Sequence, residues 1–163
     1  MKRVMSSETE PPRIATVVEA EEVAALLDRF NREFDTPSPG VAVLTARLER
    51  LLSGRQVVAL LAGDPAVAVA LLTLRPNVWF EGPVALLDEL YVVAGQRGRG
   101  MGARLLKAAE AVVRERGGEL LEINVDGEDA GARRFYERYG YTNRDSGQTE
   151  PQLYYYRYLR PSC

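Results

Sequence analysis

"ELYVVAGQRGRGMGARLL", residues 89–106, decides how the rest of the chain is read. It begins as an apolar strand and ends in residues at helical spacing. Between them stand Gly98, Gly100 and Gly102, with Arg97 and Arg99 interleaved. Glycine this dense costs backbone entropy on folding. A strand that passes through a glycine turn into a helix presents free N–H groups at the helix N-terminus. Those donors and the helix dipole favour an anion. Without Cβ atoms the backbone can approach phosphate oxygens closely, and Arg97, Arg99 and Arg104 add positive charge. A diphosphate ligand suits this arrangement. A flexible turn with solvated arginines is the plainer alternative.

The neighbours extend the pattern. "VALLDELYVV" (84–93) is largely apolar, which predicts a strand covered on both faces. Met101, Leu105, Ala108, Ala109, Val112 and Val113 form the stripe of a helix that stops at Gly117 and Gly118. "ELLEINV" (119–125) is the next strand. Upstream, "RIATVV" (13–18) is strand-like. Val23, Leu26, Leu27, Phe30 and Phe34 mark one helix; Leu44, Leu48, Leu51 and Leu52 mark a second, ending at Gly54. "QVVALLAGDPAVAVALLTLRP" (56–76) reads as a hairpin around its Gly-Asp-Pro turn. Downstream, "GEDAGARRFYERYG" (127–140) holds a short helix with Asp129 as N-cap. "YTNR" (141–144) and "QLYYYRYL" (152–159) read as a closing antiparallel pair. The predicted order is β-α-α-β-β-β-α-β-α-β-β, a mixed α/β fold. Residues 1–12 read as a flexible tail and 13–163 as one domain.

Composition sets the limits. The 163 residues are 46% apolar and 27% charged, which suits one globular domain. There is no histidine, and the one cysteine is Cys163. That excludes an intrachain disulfide, a Cys/His zinc site, and Ser-His-Asp or Cys-His nucleophiles. No spaced carboxylate motif suggests a metal. A net charge of −2 argues against a nucleic-acid binder that relies on overall positive charge. No apolar run reaches the roughly 18 residues of a membrane span, and the N-terminus lacks the apolar segment of a signal peptide. The expected location is cytoplasmic.

Several anion-binding motifs compete for the glycine stretch. A P-loop needs Lys-Ser or Lys-Thr after its last glycine, and neither follows here. A dinucleotide fingerprint is met by Gly98, Gly100 and Ala103, with Glu122 about 20 residues on. It would make the chain an NAD-binding module. Against it, "AGQR" separates the strand from the glycines, and too little chain remains for a doubly wound sheet. Arg97-x-x-Gly100-x-Gly102 fits the Q/R-x-x-G-x-G/A signature of the GNAT superfamily of N-acetyltransferases. "ELYVVAGQRGRGMGARLL" resembles that family's strand, pyrophosphate loop and helix. "ARRFYERYGY" (132–141) resembles its downstream "A…LYE..GF" segment. The resemblance runs over about residues 13–160, and its specific part over 84–141.

The resemblance implies a mixed, mostly antiparallel sheet with one splayed parallel strand pair, flanked by helices. It implies acetyl-CoA as cosubstrate, lying in the wedge between strands 84–93 and 119–125. Backbone N–H groups of Gly98, Arg99, Gly100, Met101, Gly102 and Ala103 would hold the pyrophosphate. Arg97 opens the signature, its side chain either aiding the phosphates or solvated. Leu90, Tyr91 and Val92 would form the strand that pairs with the pantetheine arm, the Val92 N–H serving as oxyanion donor. Glu89 is the expected base, with Asp88 as its rival. Alternation puts the two on opposite faces of a straight strand. Tyr136 occupies the family's tyrosine position and is the expected general acid. Many members carry Asn where Asp129 stands, so Asp129 is expected to cap its helix first and contact the cofactor second. The acceptor would be a small-molecule amine. Its walls are sought in "REFDTPSPG" (32–40) and "RPNVWFEGP" (75–83), with Glu33, Asp35, Trp79, Phe80 and Glu81, and in the tyrosine-rich C-terminus. Aminoglycoside, polyamine, amino-acid and protein N-terminal acceptors stay open. A non-catalytic acyl-CoA sensor is the remaining alternative. Many members of the family are homodimers, which implies a dimer here.

Overall fold

A computed structural model describes residues 10–159. Most of the expected tail, and Cys163, lie outside the described residues. Contacts divide the chain into two compact units, one ending at Ile123 and one beginning at Asn124.

The first unit runs β1 (Arg13–Ile14), α1 (Ala20–Glu33), α2 (Val41–Leu52), β2 (Val57–Ala62), β3 (Ala68–Arg75), β4 (Val84–Val92), α3 (Met101–Glu115) and β5 (Leu120–Ile123). Short 3-10 turns precede α1 and α3. The five strands form one sheet in the order β1-β2-β3-β4-β5. Every pairing is antiparallel except β4 with β5, which is parallel. This is the mixed sheet with one parallel pair that the sequence implied.

Each face of the sheet is covered by a helix for a sequence reason. In α1 the apolar stripe buries Val23, Ala24, Leu26 and Leu27 against Ala59, Leu61, Val69 and Tyr91. Buried aliphatic side chains of this size stabilise by about 1.5–3 kcal/mol each. Strand residues of the other parity, such as Leu60 and Leu72, are buried too. They lie outside that cluster, on the face packed by α3. The α3 stripe departs from expectation at one place: Leu106 is buried and Ala108 only half-buried. Phe34, at the end of α1, is 55% exposed rather than core. Asp28 is buried inside α1, where it accepts from Ser38 Oγ and Arg32 Nε, both at 2.6 Å.

Turns hold the elements in place. Gly63 begins the β2–β3 turn at φ +91°. The Glu22 side chain accepts the Ala66 N–H at 2.8 Å, tying α1 to that turn. Gly82 lies so close to the α3 terminus that a Cβ on it would sit 1.7 Å from the Gly117 carbonyl oxygen.

The second unit contains α4 (Ala130–Arg138) and no strand among the described residues. The two expected closing strands are therefore corrected. Gln152 N–H donates to the Asn143 carbonyl at 2.6 Å, which links the two stretches where strand pairing was expected. The tyrosine-rich sequence carries strand propensity, but a strand forms only where a ladder and a packed face support it. Tyr154, Tyr155, Tyr156 and Tyr158 are instead all exposed.

Candidate active site

The site begins where β4 and β5 part. Their ladder runs from Val84↔Leu120 to Leu87↔Ile123. The next β4 residue, Asp88, is an extra one. Opposite it, β3 passes directly from Leu72, paired with Leu87, to Leu71, paired with Glu89. A bulge of this kind bends its strand and increases local twist. Beyond it, β4 pairs with β3 alone.

The open edge presents specific backbone groups. Val93 N–H donates to the Val67 carbonyl at 3.0 Å, toward the β3 side. Groups alternate along an antiparallel strand, so Leu90 and Val92 turn theirs toward the edge that β5 has left. The chain then makes its 3-10 turn at Ala94–Gln96 and enters the glycines. Gly98 and Gly100 have φ of +76° and +75°, the left-handed region that glycine occupies without strain. Gly100 caps α3, and the first bond of that helix runs from Arg104 N–H to the Gly100 carbonyl. The N–H groups of Met101, Gly102 and Ala103 precede that bond and have no partner within the helix. Arg99 Nη1 donates to Gln96 Oε1 at 3.3 Å.

The two acidic residues differ in their surroundings. Asp88 Oδ2 accepts from Thr73 Oγ1 at 2.6 Å. Thr73 lies on the same sheet face as Leu71, the partner of Glu89. The bulge thus breaks the alternation expected of a straight strand and turns both carboxylates to one face. Burial raises the Asp88 pKa, partly countered by the Thr73 bond. Burial raises the Glu89 pKa as well, and the nearby Asp88 charge adds to it. No hydrogen bond or ion pair reaches the Glu89 carboxyl group among the described residues.

The Arg97 side chain is exposed yet bonded to two protein acceptors. Its Nε donates to the Val92 carbonyl at 2.8 Å, and its Nη2 pairs with Glu33 Oε1 at 2.6 Å. Glu33 Oε2 accepts from the Tyr91 hydroxyl at 2.7 Å. The Tyr91 ring is buried, stacked on Phe30 with centroids 5.0 Å apart. The Tyr91 side chain is thus anchored in the core. Sequence reading placed Glu33 only on an acceptor wall. Nothing local signals its link to Arg97, because the two lie on elements far apart in the chain.

The proposed acceptor walls separate. Asp35 follows α1, on the segment that leaves Glu33. Trp79, Phe80 and Glu81 lie on the β3–β4 loop, at the start of β4. The nine residues of β4, about 27 Å long at strand rise, run between that loop and the turn that leads to the glycines. Asn77 ties the loop together, accepting from the N–H groups of Trp79 and Phe80 at 2.8 Å. Asn77 and Glu81 line a cleft with Arg55 and Arg116 at that far end.

In the second unit, Asp129 caps α4, accepting the Ala132 N–H at 2.8 Å. Tyr136 is half-buried, its ring edge-on to Phe135 at 5.1 Å and to Tyr141 at 5.8 Å. Among the described residues no group of His, Cys, Asp or Glu could hold a metal ion, and no helix is long and apolar enough to cross a membrane.

A mixed sheet whose parallel pair parts at a bulge, with a glycine turn and a helix N-terminus at the open end, is the fold of acyl-CoA-dependent acyltransferases. The chain belongs to the GNAT acetyltransferase family, which matches residues 20–141. A solved structure from Arthrobacter sp. FB24, classed as an acetyltransferase, is 56% identical with a TM-score of 0.89, over 95% of this chain and 99% of that one. The uncharacterized N-acetyltransferase YhfO of Bacillus subtilis is 28% identical over 137 residues, 83% of this chain and 91% of that protein. The mycothiol acetyltransferase of Beutenbergia cavernae is 40% identical over 72 residues, 42% of this chain. That match spans only 24% of the Beutenbergia enzyme's length.

Proposed function

We propose that this protein transfers an acetyl group from acetyl-CoA directly to a primary amine of a small molecule. The observation that carries the reading is the end of the β4–β5 ladder at Leu87 and Ile123, just before the Asp88 bulge. It frees the edge groups of Leu90 and the N–H of Val92 to pair with an amide-bearing pantetheine arm, the Val92 carbonyl being held by Arg97. The same edge leads to the left-handed Gly98 and Gly100 and the α3 N-terminus, where the pyrophosphate would bind.

An alkylamine is mostly protonated at neutral pH, with a pKa of about 10. Glu89, half-buried and without a hydrogen-bond partner, takes the amine's proton through water. Asp88 is already engaged by Thr73, which favours Glu89 as the base. The neutral amine attacks the thioester carbon, and the new C–N bond leaves charge on the oxygen. The Val92 N–H faces that oxyanion. The C–S bond then breaks, Tyr136, at the family's tyrosine position, protonates the departing thiolate, and the proton shed by the new amide nitrogen restores the phenol through water. Asp129 serves first as the α4 cap.

The test is a panel of aminoglycosides, polyamines, amino acids and N-terminal peptides incubated with acetyl-CoA, reading CoA thiol release. Release that depends on one amine class supports the reading. No amine-dependent release anywhere on the panel would favour a non-catalytic sensor.

A further inference from the structure

The open half of β4 needs support that β5 does not give. After Leu87 it has a hydrogen-bonded strand on one side only. The support comes from α1. Phe30 stacks on Tyr91, and Glu33, in the last turn of α1, accepts from the Tyr91 hydroxyl. The other oxygen of Glu33 holds Arg97, whose Nε holds the Val92 carbonyl. The Arg97 guanidinium also lies 6.0 Å from the Phe34 ring centroid and 5.7 Å from that of Tyr91. Nε and Nη2 are thus both committed to protein acceptors. One carboxylate spans the turn between β4 and the glycines, from Tyr91 before it to Arg97 within it.

We propose that Glu33 is a positioning residue: through Tyr91 and Arg97 it fixes the Val92 peptide at the open edge of β4, and Arg97 acts there as a strut rather than as a phosphate ligand. The inference rests on the acetyl-transfer reading of this site. It has a structural corollary. The chain leaves Glu33 directly into residues 34–39, so the α1–α2 loop and the cofactor turn share one tie. Glutamine, which the signature also admits at position 97, lacks the fork that bonds Val92 and Glu33 together.

The test compares Glu33→Gln, Arg97→Gln and the double variant, using acetyl-CoA and S-acetylpantetheine, a thioester without the pyrophosphate. A strut predicts that each single variant lowers kcat by about tenfold with both thioesters, leaves the KM for acetyl-CoA within about twofold, and that the double variant is no worse than the worse single one. A phosphate ligand predicts otherwise: Arg97→Gln raises the KM for acetyl-CoA, spares S-acetylpantetheine, and Glu33→Gln has no effect. That pattern would overturn the proposal. If the wild-type chain neither binds acetyl-CoA nor turns over, the functional reading fails by itself. Hydrogen exchange on the free protein then decides the tie. Glu33→Gln should speed exchange across residues 89–97 by about tenfold and leave 57–62 unchanged. Unchanged exchange across 89–97 would refute the tie.

Discussion

Leu87 on β4 and Ile123 on β5 form the last pair of the parallel ladder. One residue later the Asp88 bulge turns β4 away from its neighbour. Everything the proposed site uses in the first unit follows from that parting: the strand edge at Leu90 and Val92 that β5 leaves, the two carboxylates on one face, and the glycine turn at the end of the strand.

The carboxylates make the first prediction. Burial, then the Asp88 charge, holds the Glu89 carboxyl above its ordinary 4.5. A base works ionised, so kcat/KM should fall as pH drops through a value above 4.5. Asp88→Asn should shift that acid limb downward. Glu89→Gln should remove the limb and cost about 10²–10⁴ in turnover. Stability carries the opposite sign. The folded state holds this proton more tightly than the unfolded chain, so the Glu89 contribution is full below its unfolded pKa and is lost as pH rises through the raised value. Glu89→Gln should therefore melt no lower than wild type at pH 8.

Tyr136→Phe removes one hydroxyl and keeps the ring contacts to Phe135 and Tyr141. Turnover should fall by about 10²–10⁴ with a changed pH dependence, while acetyl-CoA still binds. Full turnover with an unchanged pH profile would leave Tyr136 as an aromatic packing residue.

Gly100 tests the turn. No atom lies within 4 Å of an added Cβ, so Gly100→Ala meets strain only in its left-handed backbone. Denaturant unfolding should show a loss of about 1–2 kcal/mol. The affinity for acetyl-CoA should drop as well, because the same residue caps the helix proposed to meet the pyrophosphate.

Gly82 is a different case. Its φ is ordinary, but a Cβ would collide with the Gly117 carbonyl. Gly82→Ala should cost about 1–3 kcal/mol or more in unfolding experiments. Gly95→Ala, which meets nothing within 4 Å, should cost much less.

Local signals carried much of this. Apolar stripes placed α1 and α3, the Gly-Asp-Pro turn placed the hairpin, and Asp129 was readable as a cap. The signature and its neighbouring strands pointed to the family and to the parallel strand pair. What stayed hidden depends on partners distant in the chain. Glu33 and Tyr91 are 58 residues apart, and neither sits in a motif that names the other. The Asp88 bulge depends on the register of β3, which no pattern within β4 reveals. Nor does composition tell which end of a strand a loop occupies, and Trp79 and Phe80 lie on the loop that enters β4. The tyrosine-rich C-terminus shows the converse, strand propensity without a ladder.

The central claim is that the opened β4 edge and the glycine turn hold acetyl-CoA. Titration calorimetry of the full chain against acetyl-CoA, with NAD as the competing ligand, tests it most directly. The account predicts saturable binding of acetyl-CoA at one site per chain and none of NAD. Binding of NAD without acetyl-CoA, or of neither ligand, would contradict it.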